Sequence, residues 1–271
     1  MLKVALSHDI DRVYKTHQYF TKSFVHLKNM NKQGILNQLK SIIKKKPYWT
    51  FDQIIEIEES FGIRSTFFFL NESIKLNPFS LNSYKLSMGR YNIFDPEIMK
   101  VIQYLDENGW EIGVHGSYNS FKNYALLAKE KRILENIVGH SIVGIRQHYL
   151  NLNDCTWSIQ KKVGFKYDSS WGFTNDIGYR DNRYLPFKPL DNDFKVIPLT
   201  IMDTCFMAKP DKWDKYEGLL DQCESTGAIM VVNFHQNVFC KYDFPGYKEA
   251  YVELIERAIR RSASFYTLSQ I

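Results

Sequence analysis

The chain has 271 residues, of which 44% are hydrophobic, so it can bury a sizeable core as one large domain or two small ones. Its net charge is +5, its four cysteines are widely spaced, and no apolar run reaches the ~18 residues of a membrane span. We therefore expect a cytoplasmic protein with no signal peptide and no stable membrane insertion. We interpret the net charge as modest and spread out, and the run at 44–46 as a solvated helix end. The basic residues form no stripe, which argues against a nucleic-acid partner.

The first predicted element is a short apolar strand, 3–6, which runs directly into His8, Asp9 and Asp11. On an extended backbone the two aspartates point to the same side, where their charges repel unless a cation or a shared proton lies between them. A divalent metal is the simplest explanation. The alternative is two solvated aspartates in a turn, where aspartate is common. His8 should point to the opposite side and pack or form hydrogen bonds there.

Strands and helices alternate along the rest of the chain. An insertion at 14–48 contains a helix near 31–44, and polar loops are predicted at 71–94 and 172–193. The predicted helices are 50–61, 95–108, 122–138, 153–162, 212–225 and 246–261, and the predicted strands are 64–70, 110–115, 141–145, 165–170, 195–199 and 227–235. This alternation is typical of a parallel α/β sheet or barrel, and we predict one domain over residues 1–271.

Charged or metal-binding residues end five of the predicted strands. They are Asp9 with Asp11, His115, Arg146 with His148, Asp168, and His235. In a parallel barrel the carboxyl ends of the strands meet on one face, where active sites are built. A single histidine at a strand end is usually structural, but five such ends in one chain indicate a shared site.

Six short motifs follow one another in a characteristic order. They are Ser-His-Asp-Ile-Asp at 7–11, Ser-Thr-Phe-Phe-Phe at 65–69, Glu-Ile-Gly-Val-His-Gly-Ser-Tyr-Asn-Ser at 111–120, Gly-Ile-Arg-Gln-His-Tyr at 144–149, Tyr-Asp-Ser-Ser-Trp at 167–171 and Val-Val-Asn-Phe-His at 231–235. This ordered set resembles the polysaccharide deacetylase superfamily, the NodB homology or carbohydrate esterase family 4 proteins, and covers nearly the whole chain. The resemblance implies an α/β fold, a distorted, incomplete (β/α) barrel, and a metal-dependent hydrolase that removes acetyl groups from sugars.

The resemblance also implies a metal site, with Asp11 and His115 as ligands and zinc as the expected divalent ion. The family usually has a second histidine four residues after the first, but Asn119 occupies that position here. An amide oxygen is a poor zinc ligand. We therefore favour His148 as the third ligand, while weak binding by Asn119, or no metal at all, stays open.

The catalytic roles are likewise implied by the resemblance. Asp9 matches the catalytic base, and Arg146 matches the arginine that holds this base. Tyr149 matches the residue whose backbone N–H contributes to the oxyanion hole. His235 matches the general acid, and Asp168 matches the acidic residue near it.

The activity expected from the resemblance is removal of an acetyl group from an amino sugar or an O-acetylated sugar of a surface polysaccharide or its precursor. The expected partner is a carbohydrate, either a glycan or a lipid-linked or nucleotide-linked sugar. Two alternatives stay open: a catalytically silent, sugar-binding protein, and a hydrolase of formyl groups or cyclic amides. The inserted loops either shape the substrate groove or pack as ordinary loops, and the residues considered for the groove are Tyr91, Trp171, Tyr179, Arg180 and Arg183.

Overall fold

A computed structural model describes residues 2–77, 79–190 and 193–271. The strands are β1 (Lys3–Ile10), β2 (Thr66–Leu70), β3 (Glu111–Gly116), β4 (Gly144–Gln147), β5 (Tyr167–Asp168), β6 (Lys195–Val196), β7 (Ile201–Met202), β8 (Ile229–Asn233) and β9 (Ser264–Tyr266). The helices are α1 (Gln18–Lys28), α2 (Lys32–Ile43), α3 (Phe51–Ser60), α4 (Leu81–Ser87), α5 (Pro96–Glu107), α6 (Tyr124–Val138), α7 (Thr156–Val163), α8 (Asp203–Met207), α9 (Lys212–Thr226) and α10 (Tyr247–Arg260). None of the described helices is both long enough and apolar enough to cross a membrane.

The strands form one sheet in the order β6-β5-β4-β3-β2-β1-β8-β7, and each of these neighbouring pairs is parallel. β9 pairs with the amino-terminal half of β1, and β2 pairs with the carboxyl-terminal half on the same edge of that strand. In the described part of the chain no ladder joins β6 to β7, so the curled sheet stays open between them. The predicted distorted, incomplete (β/α) barrel is confirmed.

β1 lies at the centre of this sheet because its sequence is apolar on both faces. Val4, Ala5, Leu6 and Ile10 are buried, as expected for a parallel strand covered on both sides. The helices supply the outer layer, and their apolar stripes contact the strands through one large core cluster. The carboxyl ends of β1, β3, β4 and β8 therefore lie on the same side of the sheet.

The predicted strands and helices agree with the structure where apolar residues recur at a regular spacing. The helix expected at 31–44 is α2, but the same insertion also contains α1, and the loop expected at 71–94 contains α4. Position 78 in that loop and positions 191–192 in the predicted loop 172–193 lie outside the described residues. The pattern also missed β7 and α8, which are too short to show a periodicity.

His8 points away from Asp9 and Asp11, as the alternation of side chains along a strand predicts. Its Nδ1 lies 2.7 Å from the carbonyl oxygen of Phe234, and its Nε2 lies 2.9 Å from Oε1 of the buried Glu58. His8 therefore ties β1 to α3 behind the sheet and takes no part in the cavity described next.

Candidate metal centre and active site

A cavity of about 310 Å³ opens at the carboxyl ends of the strands. Asp9 and Asp11 from the end of β1, His115 from β3, His148 just after β4 and His235 just after β8 all line it. Four separate strands thus deliver five of the predicted residues to one place. Their convergence follows from the parallel sheet, since each side chain stands at the same end of its strand.

Asp11 is the centre of this group. Its Oδ1 lies 3.2 Å from Nε2 of His115, and its Oδ2 lies 3.4 Å from Nε2 of His148 and 3.7 Å from Nε2 of His235. One ligand atom each from Asp11, His115 and His148 lies within 4.8 Å of the other two. Burial raises the pKa of Asp11, but the charge of His148 and hydrogen bonds from both imidazoles outweigh it and hold the pKa well below its usual value.

The hydrogen bonds around His115 fit a metal ligand. Its Nδ1 lies 3.0 Å from the carbonyl oxygen of Arg146, so Nδ1 carries the proton and Nε2 presents a lone pair towards Asp11. Metal-binding histidines characteristically donate their other N–H in this way. Oδ1 of Asp11 is buried and, among the described residues, has no hydrogen-bond partner. A carboxylate oxygen facing an imidazole lone pair needs a cation or an extra proton between them.

The carboxylates around His115 favour a proton at this place when no cation is bound. Burial lowers the pKa of His115, but the nearby charge of Asp9 and the hydrogen bond to Asp11 more than compensate and leave it raised. Two imidazole nitrogens and one carboxylate oxygen form a donor set typical of zinc and other divalent transition metals. The residues present therefore fit the divalent ion that the fold implies.

His235 approaches the same oxygen of Asp11 as His148 does and is held by Asp203. Oδ2 of Asp203 lies 2.9 Å from Nδ1 of His235 and accepts the backbone N–H of the same residue at 2.7 Å. Burial lowers the pKa of His235, but the charge and hydrogen bond of Asp203, with smaller contributions from Asp11 and Asp9, raise it to about 10. His235 is therefore protonated at neutral pH, with Nε2 directed at the cavity.

Asp9 is held by a second polar network. Its Oδ1 accepts a hydrogen bond of 3.0 Å from Nη1 of Arg146, and its Oδ2 accepts one of 3.0 Å from Nδ2 of Asn233. Arg146 is fully buried and also donates to Ser7 Oγ, Asn233 Oδ1 and both oxygens of Ser169. Burial raises the pKa of Asp9, but the charge of Arg146 leads the effects that lower it, so the carboxylate stays ionised.

The sequence matches no protein-family model, and no curated protein matches it significantly. Solved structures do match. A Mycobacterium smegmatis protein assigned to the polysaccharide deacetylases superposes with a TM-score of 0.61 at 17% identity, over 99% of this chain and 88% of that one. The Bc1960 peptidoglycan N-acetylglucosamine deacetylase superposes with a TM-score of 0.50 at 13% identity, over 99% and 86% of the two chains.

The chain has the polysaccharide deacetylase fold. The resemblance predicted from the ordered motifs is thus confirmed at the level of the fold, at low sequence identity. A mutant of BA3943, a CE4 family pseudoenzyme, superposes with a TM-score of 0.50 at 12% identity. A mutant of BA3943 with restored enzymatic activity superposes with a TM-score of 0.50 at 12% identity, over 99% of this chain and 66% of that one. The fold alone therefore does not decide whether a chain is active.

The expected position of Asp168 beside His235 is wrong. Asp168 is fully buried at the end of β5, where Oδ2 accepts hydrogen bonds from Gln160 at 2.9 Å and from Ser170 Oγ at 2.6 Å. Burial raises its pKa. The physical reason is strand order, because β5 pairs with β4 and β6, whereas β8 pairs with β7, which leads into Asp203.

Two functional residues were missed from the sequence. Asp203 follows β7, a strand of two residues that has no recognisable pattern. Asn233 is the last residue of β8, and register places it opposite Ser7, within reach of Asp9. A polar residue ending the most apolar strand of the chain was the one available signal for Asn233.

Asn119, the alternative third ligand, is half-buried at the start of a short turn after β3 and is not among the residues that line the cavity. The loop before it is held by two carboxylates, since Glu130 accepts the N–H of Ser117 and Glu72 accepts the N–H of Tyr118. His148 is the third donor that the structure brings to Asp11.

Tyr149 lines the cavity with its backbone in the left-handed region, at φ 59° and ψ 17°. Such a conformation is rare for a residue other than glycine and costs about 1–3 kcal/mol, so the surrounding structure must impose it. The ring centroid of Tyr149 lies 4.3 Å from that of His148. The strained turn thus fixes the position of His148 and of the Tyr149 peptide together.

The residues considered for the groove pack as loop residues. Tyr91 and Tyr179 are buried, and Trp171 packs against the core with the guanidinium of Arg180 over its ring. Arg183 stacks on Phe187 in the same way. The rim of the cavity is formed by other side chains, namely Arg12, Leu70, Leu86, Met88, Arg90, Thr174, Met202 and Thr204.

Proposed function

We propose that this protein is a metal-dependent hydrolase that removes an acetyl group from an amino sugar or an O-acetylated sugar of a surface polysaccharide or its precursor. One observation carries the proposal: the donor atoms of Asp11, His115 and His148 converge in the cavity that also holds Asp9 and His235. A metal site flanked by an ionised carboxylate and a protonated imidazole suits metal-assisted hydrolysis.

Asp11, His115 and His148 would hold the ion, with zinc as our choice because the set contains two imidazoles and one carboxylate. A bound divalent ion supplies Lewis acidity, which polarises a carbonyl group and lowers the pKa of bound water to about 7. The hydrogen bond from Nδ1 of His115 to the carbonyl oxygen of Arg146 keeps the ring oriented before any ion binds.

Asp9 is the proposed general base. Arg146 and Asn233 each occupy one of its oxygens, which fixes the plane of the carboxylate and leaves lone pairs for one further proton. Its lowered pKa keeps it ionised, so it can accept the proton of the attacking water. The water molecule must lose this proton to Asp9 in order to act as the nucleophile.

His235 is the proposed general acid. Asp203 accepts the Nδ1 proton, so the Nε2 proton of the imidazolium is the one available to a leaving amine or alkoxide. Acid–base catalysis by this pair requires an ionised base and a protonated acid at the same pH. The pKa of Asp9 is lowered and that of His235 is raised, so the pair meets this requirement. The backbone N–H of Tyr149 is the proposed oxyanion donor, and losing such a donor typically costs about 3–4 kcal/mol of transition-state stabilisation.

A second candidate is a catalytically silent sugar-binding protein, favoured by the asparagine at position 119 in place of the usual histidine. Elemental analysis of the purified protein, together with acetate release from N-acetylglucosamine oligomers and O-acetylated xylan, distinguishes the two. We expect about one divalent ion per chain and an activity that Asp9→Asn abolishes. Failure to bind a stoichiometric ion after reconstitution would leave the silent protein as the better account.

A further inference from the structure

The net positive charge of the chain comes from one segment. No acidic residue lies between Asp11 and Asp52, whereas Arg12 and eight lysines do. These nine basic residues exceed the net charge of +5, so the rest of the chain is net negative. The expectation that the net charge is spread along the chain is therefore wrong. The lysines are Lys15, Lys22, Lys28, Lys32, Lys40, Lys44, Lys45 and Lys46.

This segment folds as a pair of packed helices, α1 and α2, which we call the 18–43 hairpin. Gly34 in α2 permits their close contact, because a Cβ at that position would collide with the imidazole of His26 in α1. Asn31 begins α2 by accepting the N–H of Gly34 at 2.8 Å. The hairpin is therefore a built unit of the fold.

The inner face of the hairpin is polar. Gln18, Gln38 and Ser41 are buried, and Nζ of the buried Lys15 donates to Gln38 Oε1 at 2.7 Å, to Ser41 Oγ at 3.0 Å and to Asp243 Oδ1 at 2.9 Å. An ordinary surface helix does the opposite, since it buries its apolar stripe and leaves its polar face in water. The inward polar face leaves the apolar side chains on the outside.

The outer face of the hairpin is apolar and exposed. Phe20 is 80% exposed, Met30 87% and Ile43 84%. Half of the large hydrophobic side chains that are exposed in the described residues belong to this hairpin, namely Phe20, Phe24, Val25, Leu27, Met30, Leu36, Leu39, Ile42 and Ile43. Single exposed apolar residues are normal, but a concentration of this kind marks a binding surface.

We propose that the 18–43 hairpin binds the surface of an anionic lipid bilayer. Its outer apolar face would enter the boundary between headgroups and acyl chains, while exposed lysines such as Lys28, Lys32 and Lys44 contact lipid phosphates. A second copy of the chain is a poor occupant, because it would bring two strongly basic segments together without any acidic residue between 12 and 51.

The segment that leads into the hairpin lines the candidate active site. Arg12, which links β1 to the hairpin, donates from Nη1 to the carbonyl oxygen of Met88 at 2.9 Å, and both residues line the cavity. A bilayer bound by the hairpin would therefore lie near the rim of the cavity, where a sugar on a lipid carrier could reach it. Vesicle binding does not depend on hydrolysis. An experiment can therefore contradict the membrane proposal without contradicting the proposed function, and the reverse.

Co-sedimentation of the full chain with vesicles tests the proposal. We expect binding to vesicles of equal parts phosphatidylcholine and phosphatidylglycerol, weak binding to phosphatidylcholine alone, and weaker binding to both at high salt. The variant Phe20→Ser/Phe24→Ser/Ile43→Ser should lose binding by about tenfold or more. The charge variant Lys28→Glu/Lys32→Glu/Lys44→Glu should lose it by about a hundredfold.

Matched changes elsewhere on the surface serve as controls. Phe94→Ser/Leu185→Ser/Ile259→Ser and Lys129→Glu/Lys166→Glu/Lys188→Glu alter exposed side chains outside the hairpin and should bind vesicles as the unaltered chain does. Equal losses in these controls, or full binding by the hairpin variants, would overturn the proposal. So would a dimer in sedimentation without vesicles that the hairpin serine variant converts to a monomer, because a second copy would then cover the face.

Discussion

Nδ1 of His235 lies 2.9 Å from Oδ2 of Asp203, an acid that precedes it by 32 positions and directly follows the neighbouring strand β7. The same oxygen accepts the backbone N–H of His235 at 2.7 Å, so one carboxylate fixes both the ring and the peptide. The proton on Nδ1 leaves Nε2 as the atom that faces the cavity, and the negative charge of Asp203 keeps the imidazole protonated.

Replacing Asp203 tests this relationship. Asp203→Asn keeps the volume but removes the charge and replaces one carboxylate oxygen by an amide donor, so kcat for acetate release should fall about a hundredfold with KM little changed. Asp168→Asn is the matched control, since this acid is bonded to Gln160 and Ser170 and does not line the cavity. Equal losses of kcat in the two correctly folded variants would contradict the assignment.

The third metal ligand can be identified by substitution. His148→Ala should weaken zinc binding more than about a hundredfold, because it removes one of three protein donors. Asn119→Ala should bind zinc as the unaltered chain does. Competition against a chelator of known affinity measures both variants, and the opposite ranking would make Asn119 the ligand.

Arg146 should also contribute strongly to stability. Arg146→Lys keeps a positive charge but cannot reproduce the planar fork that reaches Ser7, Asp9, Asn233 and Ser169. We expect the free energy of unfolding in urea to fall by about 3 kcal/mol, because buried acceptors lose their donor. Arg132→Lys, at an exposed arginine, is the control, and a loss below about 1 kcal/mol for Arg146→Lys would argue against the network.

Glu130 should make stability depend on pH. Burial raises its pKa from 4.5 to about 7, so the folded protein holds a proton there that the unfolded chain releases at lower pH. The contribution of the protonated carboxyl is therefore complete below about pH 4.5 and is lost as the pH rises through about 7, a difference of about 3 kcal/mol. Urea unfolding at several pH values should show this fall.

The variant Glu130→Gln should flatten that part of the profile, because it cannot ionise. The exposed Glu107→Gln should leave the profile unchanged. Parallel profiles for the wild type and Glu130→Gln between about pH 4.5 and 7 would show that Glu130 titrates normally in the folded protein.

The sequence by itself determined the alternation of strands and helices and the strand ends at which Asp9, Asp11, His115 and His235 stand. These are local properties, since apolar runs, caps and the period of two within a strand can be read within a few residues. Parallel strands then deliver the side chains at their carboxyl ends to one edge of the sheet. The cavity and the charged and imidazole side chains at its centre were predictable for this reason.

Only the tertiary structure decided which acid meets His235, which donor completes the set around Asp11 and which face of the 18–43 hairpin turns outward. Strand order separates Asp168 from His235 and brings Asp203 to it. Pairing partners, backbone strain at Tyr149 and the burial of a polar helix face depend on contacts between residues far apart in the chain. No local pattern contains that information, because short strands and loops take their positions from the elements they pack against.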